Sequence, residues 1–320
     1  MKFLSVTSTL LTLYALVAHA QTYPSKPVRI IVPLSASSTG DALARMVGDN
    51  LTQKLGQSFV VETRPGASGQ IGVAAVVRSP PDGYTIMLAS TGPITINPVF
   101  YGAKLGFDPV KDLAAITQVA NTESVLLVHP SLPVRNIKEF IAFAKARPGE
   151  LVYSSAGNSS TTHLHLALFN SMAGIKMLHV PYKGSTEGLI AVASGETQAM
   201  LTGWINALPL AKSGKVRMLA VTSAQRNPAA PELPAIKESV PGYEADQWYG
   251  VLAPAATPKA IIALLHRTIA TELQTSAART WLAERGAVAV GSTPEQFGAR
   301  IKSEIAKWGK IIQESGTSPE

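Results

Sequence analysis

The chain has 320 residues, of which 46% are hydrophobic and 15% charged, enough for about two domains of roughly 150 residues each, and this composition excludes a disordered tail. It contains no cysteine, which excludes disulfide scaffolds, thiol catalysis and cysteine-ligated zinc. The formal charge of +7, from 28 Lys plus Arg against 21 Asp plus Glu, favours anionic partners, but no window gathers a basic run interleaved with aromatics, which argues against nucleic acid.

Lys2 precedes an apolar stretch from Leu10 to Val17 and then Ala18-His19-Ala20, a small-x-small pattern. Residues 1–20 therefore read as a secretory signal peptide cut before Gln21, with the periplasm as the expected compartment. The apolar stretch falls short of the ~20 residues that span a bilayer, which disfavours a signal anchor.

Val28 to Val32 is a short β-branched apolar run, read as a strand buried on both faces of a parallel sheet. After the small-residue loop Pro33 to Asp41, Leu43, Met46, Val47, Leu51 and Leu55 fall at helical spacing. Phe59 to Glu62 reads as a strand, Arg64 to Gly69 as a turn-rich connection, Val73 to Val77 as a helix, and Thr85 to Ala89 as a strand behind Pro80-Pro81-Asp82-Gly83. The same grammar returns after residue 122: strand Val125 to Val128, helix Ile137 to Ala146, strand Leu151 to Ser155. The loop Ala156 to Thr162 follows, then a helix expected to bury Leu164, Leu168 and Met172 on one face. Met177 to Val180, Thr197 to Leu201 and Met218 to Val221 read as strands, Trp248 to Ala253 as a further segment, and Pro258 to Thr275 and Pro294 to Glu314 as helices. Strands alternating with helices imply βαβ units and an α/β fold. No low-complexity linker separates the halves, so two similar lobes joined by crossing strands, with a cleft between them, are expected.

Enzyme signatures are largely missing: there is no G-x-S-x-G elbow, Walker loop or H-E-x-x-H. Gly66, Gly69 and Gly72 miss the dinucleotide fingerprint by one position and fit a turn with close helix packing. His163 and His165 lie on different faces of a helix, with no carboxylate within a turn to complete a metal site; they are expected at the surface or near a cap. His179, at a strand end, either lines the cleft or is a satisfied structural histidine.

The loops Ser35 to Gly40 and Ser154 to Thr162 each follow a strand's carboxyl end and open a helix, where open α/β sheets bind ligands. Helix N-termini carry unpaired N–H groups and partial positive charge, and so favour a carboxylate or phosphate. Asp41 reads as a helix N-terminal capping residue. Two such loops facing each other suggest a clamp for an acidic small molecule.

Tyr23-Pro24-Ser25-Lys26-Pro27-Val28-Arg29, Pro65-Gly66-Ala67, Pro81-Asp82-Gly83-Tyr84-Thr85, Ile96-Asn97-Pro98, Asp108 to Leu113, Ser155-Ala156-Gly157-Asn158, His179 to Gly184 and Ala220 to Ser223 stand in the order of one family. The chain resembles the periplasmic solute-binding proteins of tripartite tricarboxylate transporters, the Bordetella uptake gene (Bug) family, over residues 23–316. The resemblance implies a two-lobed, type II-like periplasmic-binding fold, with lobe I at 21–122 plus 244–320 and lobe II at 123–243. It also implies that the lobes close on a carboxylated solute and deliver it to membrane transporter subunits. Neither catalysis, cofactor nor metal is expected, and the protein is expected to be monomeric.

Two departures bear on the ligand. Ser37-Ser38-Thr39-Gly40 stands where the family usually has a glycine-rich run and then Thr. Leu201-Thr202-Gly203-Trp204 stands where it usually has an aromatic residue and then Asp-Asn. Loss of that carboxylate disfavours amine-bearing ligands and leaves room for a second ligand carboxylate, so a dicarboxylate is expected. Trp204 either stacks on an aromatic diacid such as terephthalate or packs under a hinge or in the lobe core. Lys183 either counters the far carboxylate or is solvated in a turn. The candidate ligand-binding residues are Ser35, Ser37, Ser38, Thr39, Ser90, Thr91, Ser155, Asn158, Ser159, Thr161, Thr162, Lys183, Thr202 and Trp204. Two other readings remain: a sensor docking to a signalling partner, and a hydrolase of an anionic substrate, for which Thr162-His163 lacks a third orienting group.

Overall fold

The computed structural model describes residues 23–315 apart from 159, 224–225, 227–229, 244 and 246; the expected signal peptide and Ser159 lie outside the described residues. The chain opens with β1 (Val28–Val32), α1 (Thr39–Leu55), β2 (Phe59–Thr63), α2 (Gln70–Val77) and β3 (Thr85–Ser90). A π-helical turn (Gly92–Ile96), α3 (Asn97–Tyr101), α4 (Pro109–Asp112) and β4 (Leu113–Thr122) follow. Beyond Glu123 come β5 (Ser124–Val128), α5 (Ile137–Lys145), β6 (Val152–Ser155), α6 (Thr161–Ala173), β7 (Leu178–Pro181), α7 (Ser185–Ser194), β8 (Ala199–Gly203), α8 (Trp204–Lys212) and β9 (Arg217–Val221). The chain returns through β10 (Gln247–Pro254), α9 (Lys259–Leu273), α10 (Ser276–Ala283), β11 (Ala287–Ala289) and α11 (Pro294–Ser315).

These strands form two mixed sheets, ordered β11-β4-β10-β3-β1-β2 and β7-β6-β8-β5-β9. β1 pairs in parallel with β2 and β3, and β6 with β7 and β8, while β10 and β5 run antiparallel to their neighbours. The apolar run of β1, interrupted by the exposed Arg29, follows from burial on both faces. Val28, Ile30 and Val32 pack with Leu43, Val47 and Leu51 of α1 and Leu265 and Ile269 of α9. Ile31 faces the other way, into Val73 and Val76 of α2 and Phe297 and Ile301 of α11. The second sheet is covered likewise: Leu126 and Leu201 meet Phe140 of α5 and Phe169 of α6, whereas Leu127 and Met200 meet Val192 of α7 and Trp204 and Ala207 of α8. Each such fully buried aliphatic side chain contributes roughly 1.5–3 kcal/mol.

The chain passes between the sheets without a tether. β4 runs into β5 through Glu123, whose N–H donates to the Gly286 carbonyl (3.0 Å) and whose carbonyl accepts from the Trp204 N–H (3.1 Å). Gly286 has φ +63, and a Cβ there would lie 2.6 Å from the Trp204 ring, so the indole is wedged against the crossover.

The structure corrects the expectation for α6. Its buried residues are Thr162, His163, Leu164, His165, Leu166, Phe169 and Ala173, whereas Met172 is exposed. The helix is covered on two sides, so one stripe does not describe it. Phe169 and Ala173 enter the core of the second sheet, and Leu164 packs with Ile96, Phe100, Trp308 and Ile312 from the first lobe. His163 and His165 are therefore not surface residues; His165 is 1% exposed and stacks on Trp308 at 5.5 Å.

Candidate functional site

The carboxyl ends of β1, β3, β6, β7 and β8 converge on a cavity of about 170 Å³ between the sheets, small against the ~300–1,000 Å³ of drug-sized sites. Four helices start at it. The N-caps of α1, α6, α7 and α8, namely Ser38, Ser160, Gly184 and Gly203, all stand on its lining. Each first turn presents backbone N–H groups and partial positive charge. Among the described residues the lining holds no carboxylate, and Lys183, an exposed residue, is its one charged side chain. Hydroxyls of Ser35, Thr39, Ser90, Thr161, Ser185 and Thr202 add neutral donors and acceptors.

The first loop is shaped by a charged pair. Ser37 holds a left-handed φ of +61°, its N–H donates to Asp41 Oδ2 at 3.1 Å, and Asp41 pairs with Arg45 at 3.0 Å. Ser38 caps α1 by accepting from the Asp41 N–H at 3.3 Å. Beneath the loop, Tyr249 accepts from Gln247 Nε2 at 2.7 Å. Burial pushes the Tyr249 phenol above its ordinary range, opposed by its hydrogen bond with Thr39.

The second loop rests on neutral rings. Ser155 Oγ and His179 Nε2 are 2.6 Å apart, and Ser155 Oγ also donates to the Gly157 carbonyl at 3.1 Å. His179 stacks on His163 at 3.9 Å and on Tyr153 at 4.9 Å. Thr162 Oγ1 accepts from the Ala156 N–H at 2.8 Å, and Ser160 Oγ donates to the Gly157 carbonyl at 2.7 Å. Burial pushes His163 down to about 3, with His179 adding to the effect, and burial pushes His179 down to about 4. Both rings are thus neutral over the ordinary pH range. His179 serves the loop as a structural partner and is absent from the lining.

Of the residues singled out from sequence, Ser35, Ser38, Thr39, Ser90, Thr161, Thr162, Lys183 and Thr202 come together on the lining. The structure places others elsewhere. Ser37 is exposed and absent from the lining, and Ser155 is turned toward His179. Thr91 is fully buried, its Oγ1 accepting from the Trp248 N–H at 3.0 Å. Asn158 offers its carbonyl to Ser68 rather than a side chain to the cavity. Trp204 is 4% exposed, in the core against Leu189 and Val192, and supplies no ring for stacking on a ligand.

A third loop was not anticipated. Ala67 and Ser68 hold φ of +46° and +53°, and Gly69 one of +90°. Left-handed non-glycine residues cost of order 1–3 kcal/mol each, so this shape must be held by its partners. Ser68 Oγ donates to the Asn158 carbonyl of the opposite lobe at 2.8 Å, and Asn97 Nδ2 donates to the Ser68 carbonyl at 2.9 Å. Gly69 admits no side chain, since a Cβ would lie 2.6 Å from Pro93. Ser68, Ser160, Ser185, Asn206, Gln247 and Tyr249 also line the cavity. Ser160 lies inside the loop Ser154 to Thr162, and the motifs Pro65-Gly66-Ala67 and His179 to Gly184 stand beside Ser68 and Ser185, whereas no motif pointed to Asn206, Gln247 or Tyr249. Among the described residues no three His, Cys, Asp or Glu side chains come together as a metal site, and no helix is long and apolar enough to cross a membrane.

Residues 43–317 match the tripartite tricarboxylate transporter family receptor. The chain belongs to this family. BugT of Bordetella pertussis is 33% identical over 299 residues, covering 93% of this chain and 91% of that one. Among solved structures, an R. palustris protein with adipate is 36% identical with a TM-score of 0.89, covering 93% of this chain and 100% of the other. MatC from Rhodopseudomonas palustris, solved with bound malate, is 26% identical with a TM-score of 0.84 and shares 91% and 100% coverage. The receptor-family chain thus has the two-lobed α/β periplasmic-binding fold, with the cavity described above between its lobes.

Proposed function

We propose that this receptor captures a small organic acid in the periplasm, after removal of residues 1–20, and delivers it to the membrane subunits of a tripartite tricarboxylate transporter. The observation that carries the reading is a cavity ringed by four helix N-termini and containing one lysine and no carboxylate among the described residues. Such a field favours an anion and disfavours an amine. The adipate and malate held by two structural neighbours support a dicarboxylate as the cargo. Residues 21–122 with 244–320 would move as one lobe against 123–243, and only the closed lobes touch the solute from both sides. Binding without turnover fits the two hydroxyl–histidine neighbours: Thr162 Oγ1 is engaged by the Ala156 N–H, and the Ser155–His179 pair stands off the cavity lining.

The test is calorimetric titration with adipate, malate and terephthalate beside matched amides and amines, followed by uptake of the best acid in cells with and without the gene. Micromolar or tighter binding restricted to acids, with uptake lost on deletion, is expected. Binding restricted to amines or neutral solutes would overturn the reading; acid binding with unchanged uptake would favour the sensor role.

A further inference from the structure

Ala67 and Ser68, with φ of +46° and +53°, stand side by side between Gly66 at +120° and Gly69 at +90°. A side chain crowds the backbone in this region, and a turn with two such residues in succession ordinarily takes Asn, Asp or Gly at both. The Gly69 N–H closes the turn on the Gly66 carbonyl at 2.9 Å. Gly66 and Ala67 are exposed, so no core packing holds the Ala67 backbone in its conformation.

The groups that hold the turn come from both lobes. Within the first lobe, Asn97 Nδ2 donates to the Ser68 carbonyl at 2.9 Å and the Gln70 N–H donates to the Ala67 carbonyl. From the second lobe, the Asn158 carbonyl accepts from Ser68 Oγ at 2.8 Å. Only this last bond requires the lobes to be together. Parting them removes it and leaves two strained residues at the edge of an open cleft. Gly69 stays anchored, since a Cβ there would lie 2.6 Å from Pro93, whereas the exposed Gly66 is free to act as the pivot.

We propose that residues 66–69 form a strained strap, left-handed while the lobes are closed and relaxed once they part. Part of the solute's binding energy is then stored in the Ala67 and Ser68 backbone, where it favours reopening. The strap sets affinity through its own conformation and not through a contact to the ligand. It rests on reading the cavity as one that closes on a solute.

Calorimetry with adipate and malate on the wild type, Ala67→Gly and Ala67→Val, beside melts of the three ligand-free proteins, tests the strap. Glycine holds a positive φ freely, and a β-branched residue holds it least well. Ala67→Gly is expected to tighten acid binding by about fivefold, and Ala67→Val to weaken it by about fivefold. The sign is telling, because Ala67 is on the lining and loss of its methyl contact alone would weaken binding. The ligand-free melting temperature of Ala67→Gly should hold or fall, since glycine in a relaxed loop adds only unfolded-state freedom. A turn that is left-handed in both states would instead raise it and leave affinity unchanged. Acid binding by Ala67→Gly no tighter than wild type, binding by Ala67→Val as tight as wild type, or a raised ligand-free melt for Ala67→Gly would each overturn the strap while leaving carboxylate capture standing. A wild type that binds neither acid would sink the capture reading. The ligand-free melts would then still decide the strap, a raised Ala67→Gly melt against it and an unraised one for it.

Discussion

The loops after β1 and β6 reach the same cavity from opposite lobes, yet they are held by opposite physical means. The first depends on the ionised pair Asp41–Arg45, whose guanidinium side is 59% exposed and open to salt. The second depends on Ser155, His179, His163 and Tyr153, a stack that works only while its imidazoles stay neutral. Helix N-termini supply the anion-attracting field on both sides, so the difference lies in how each loop is pinned. The pinning should therefore fail under different conditions on the two sides.

Acidification should separate the two loops most. His163, His165 and His179 are held well below their ordinary value by burial, with His179 adding to the effect at His163 and Lys307 at His165. The unfolded chain then binds protons that the fold refuses. Their contribution is complete above about pH 6.5 and is lost as pH falls toward 4, by roughly 1.4 kcal/mol per pH unit for each histidine. Denaturant melts at pH 7 and 4.5, read beside amide exchange, should show residues 155–162 losing protection before residues 35–39. Equal loss in both would remove the distinction.

His179→Ala comes next, with an expected cost of about 2 kcal/mol from the lost Ser155 partner and ring stack. Its effect should be confined to the second loop, and urea melts against wild type give the value. Asp41→Asn should cost about 1 kcal/mol, and the difference should shrink in high salt, because an exposed guanidinium is screened. Salt-independence would show that shape rather than charge holds the first loop. Smallest is Ser68→Ala, which removes one hydrogen bond between the lobes, worth about 0.5 kcal/mol. Small-angle scattering with and without ligand should show a more open unliganded form.

Much of this organisation is legible in the sequence because each lobe obeys a local rule. β1 and β5 are short β-branched or leucine-rich runs, whereas the cap of α1 was misplaced: Ser38 is the N-cap, and Asp41, read as the capping residue, stands in the first turn. β4, with alanines, a glutamine and an asparagine among its apolar residues, carries no clean alternation, and its burial comes from β10 beside it. The burial of His165 was hidden for the same reason, since α6 touches α11 only once the lobes meet, whereas that of His163 comes from Tyr153 and His179 of the second sheet. Trp204 reads equally as a ring beside a ligand or a hinge wedge, and the choice depends on Gly286, more than eighty residues away. Arg64 to Gly69 is legible as a turn, but the left-handed shape of Ala67 and Ser68 is not, because it is enforced by Asn97 and Asn158 rather than by their own residue types.

The most direct measurement is a thermal-shift screen of ligand-stripped protein starting at Gln21, against mono-, di- and tricarboxylates, amines and neutral solutes. An acid held at about 100 times its dissociation constant should stabilise the fold by roughly 2.7 kcal/mol, a shift of several degrees. Shifts confined to carboxylates, largest for a diacid, are the predicted result. A melt moved by an amine or neutral solute and by no acid would contradict the central claim that helix N-termini make this cavity an anion site.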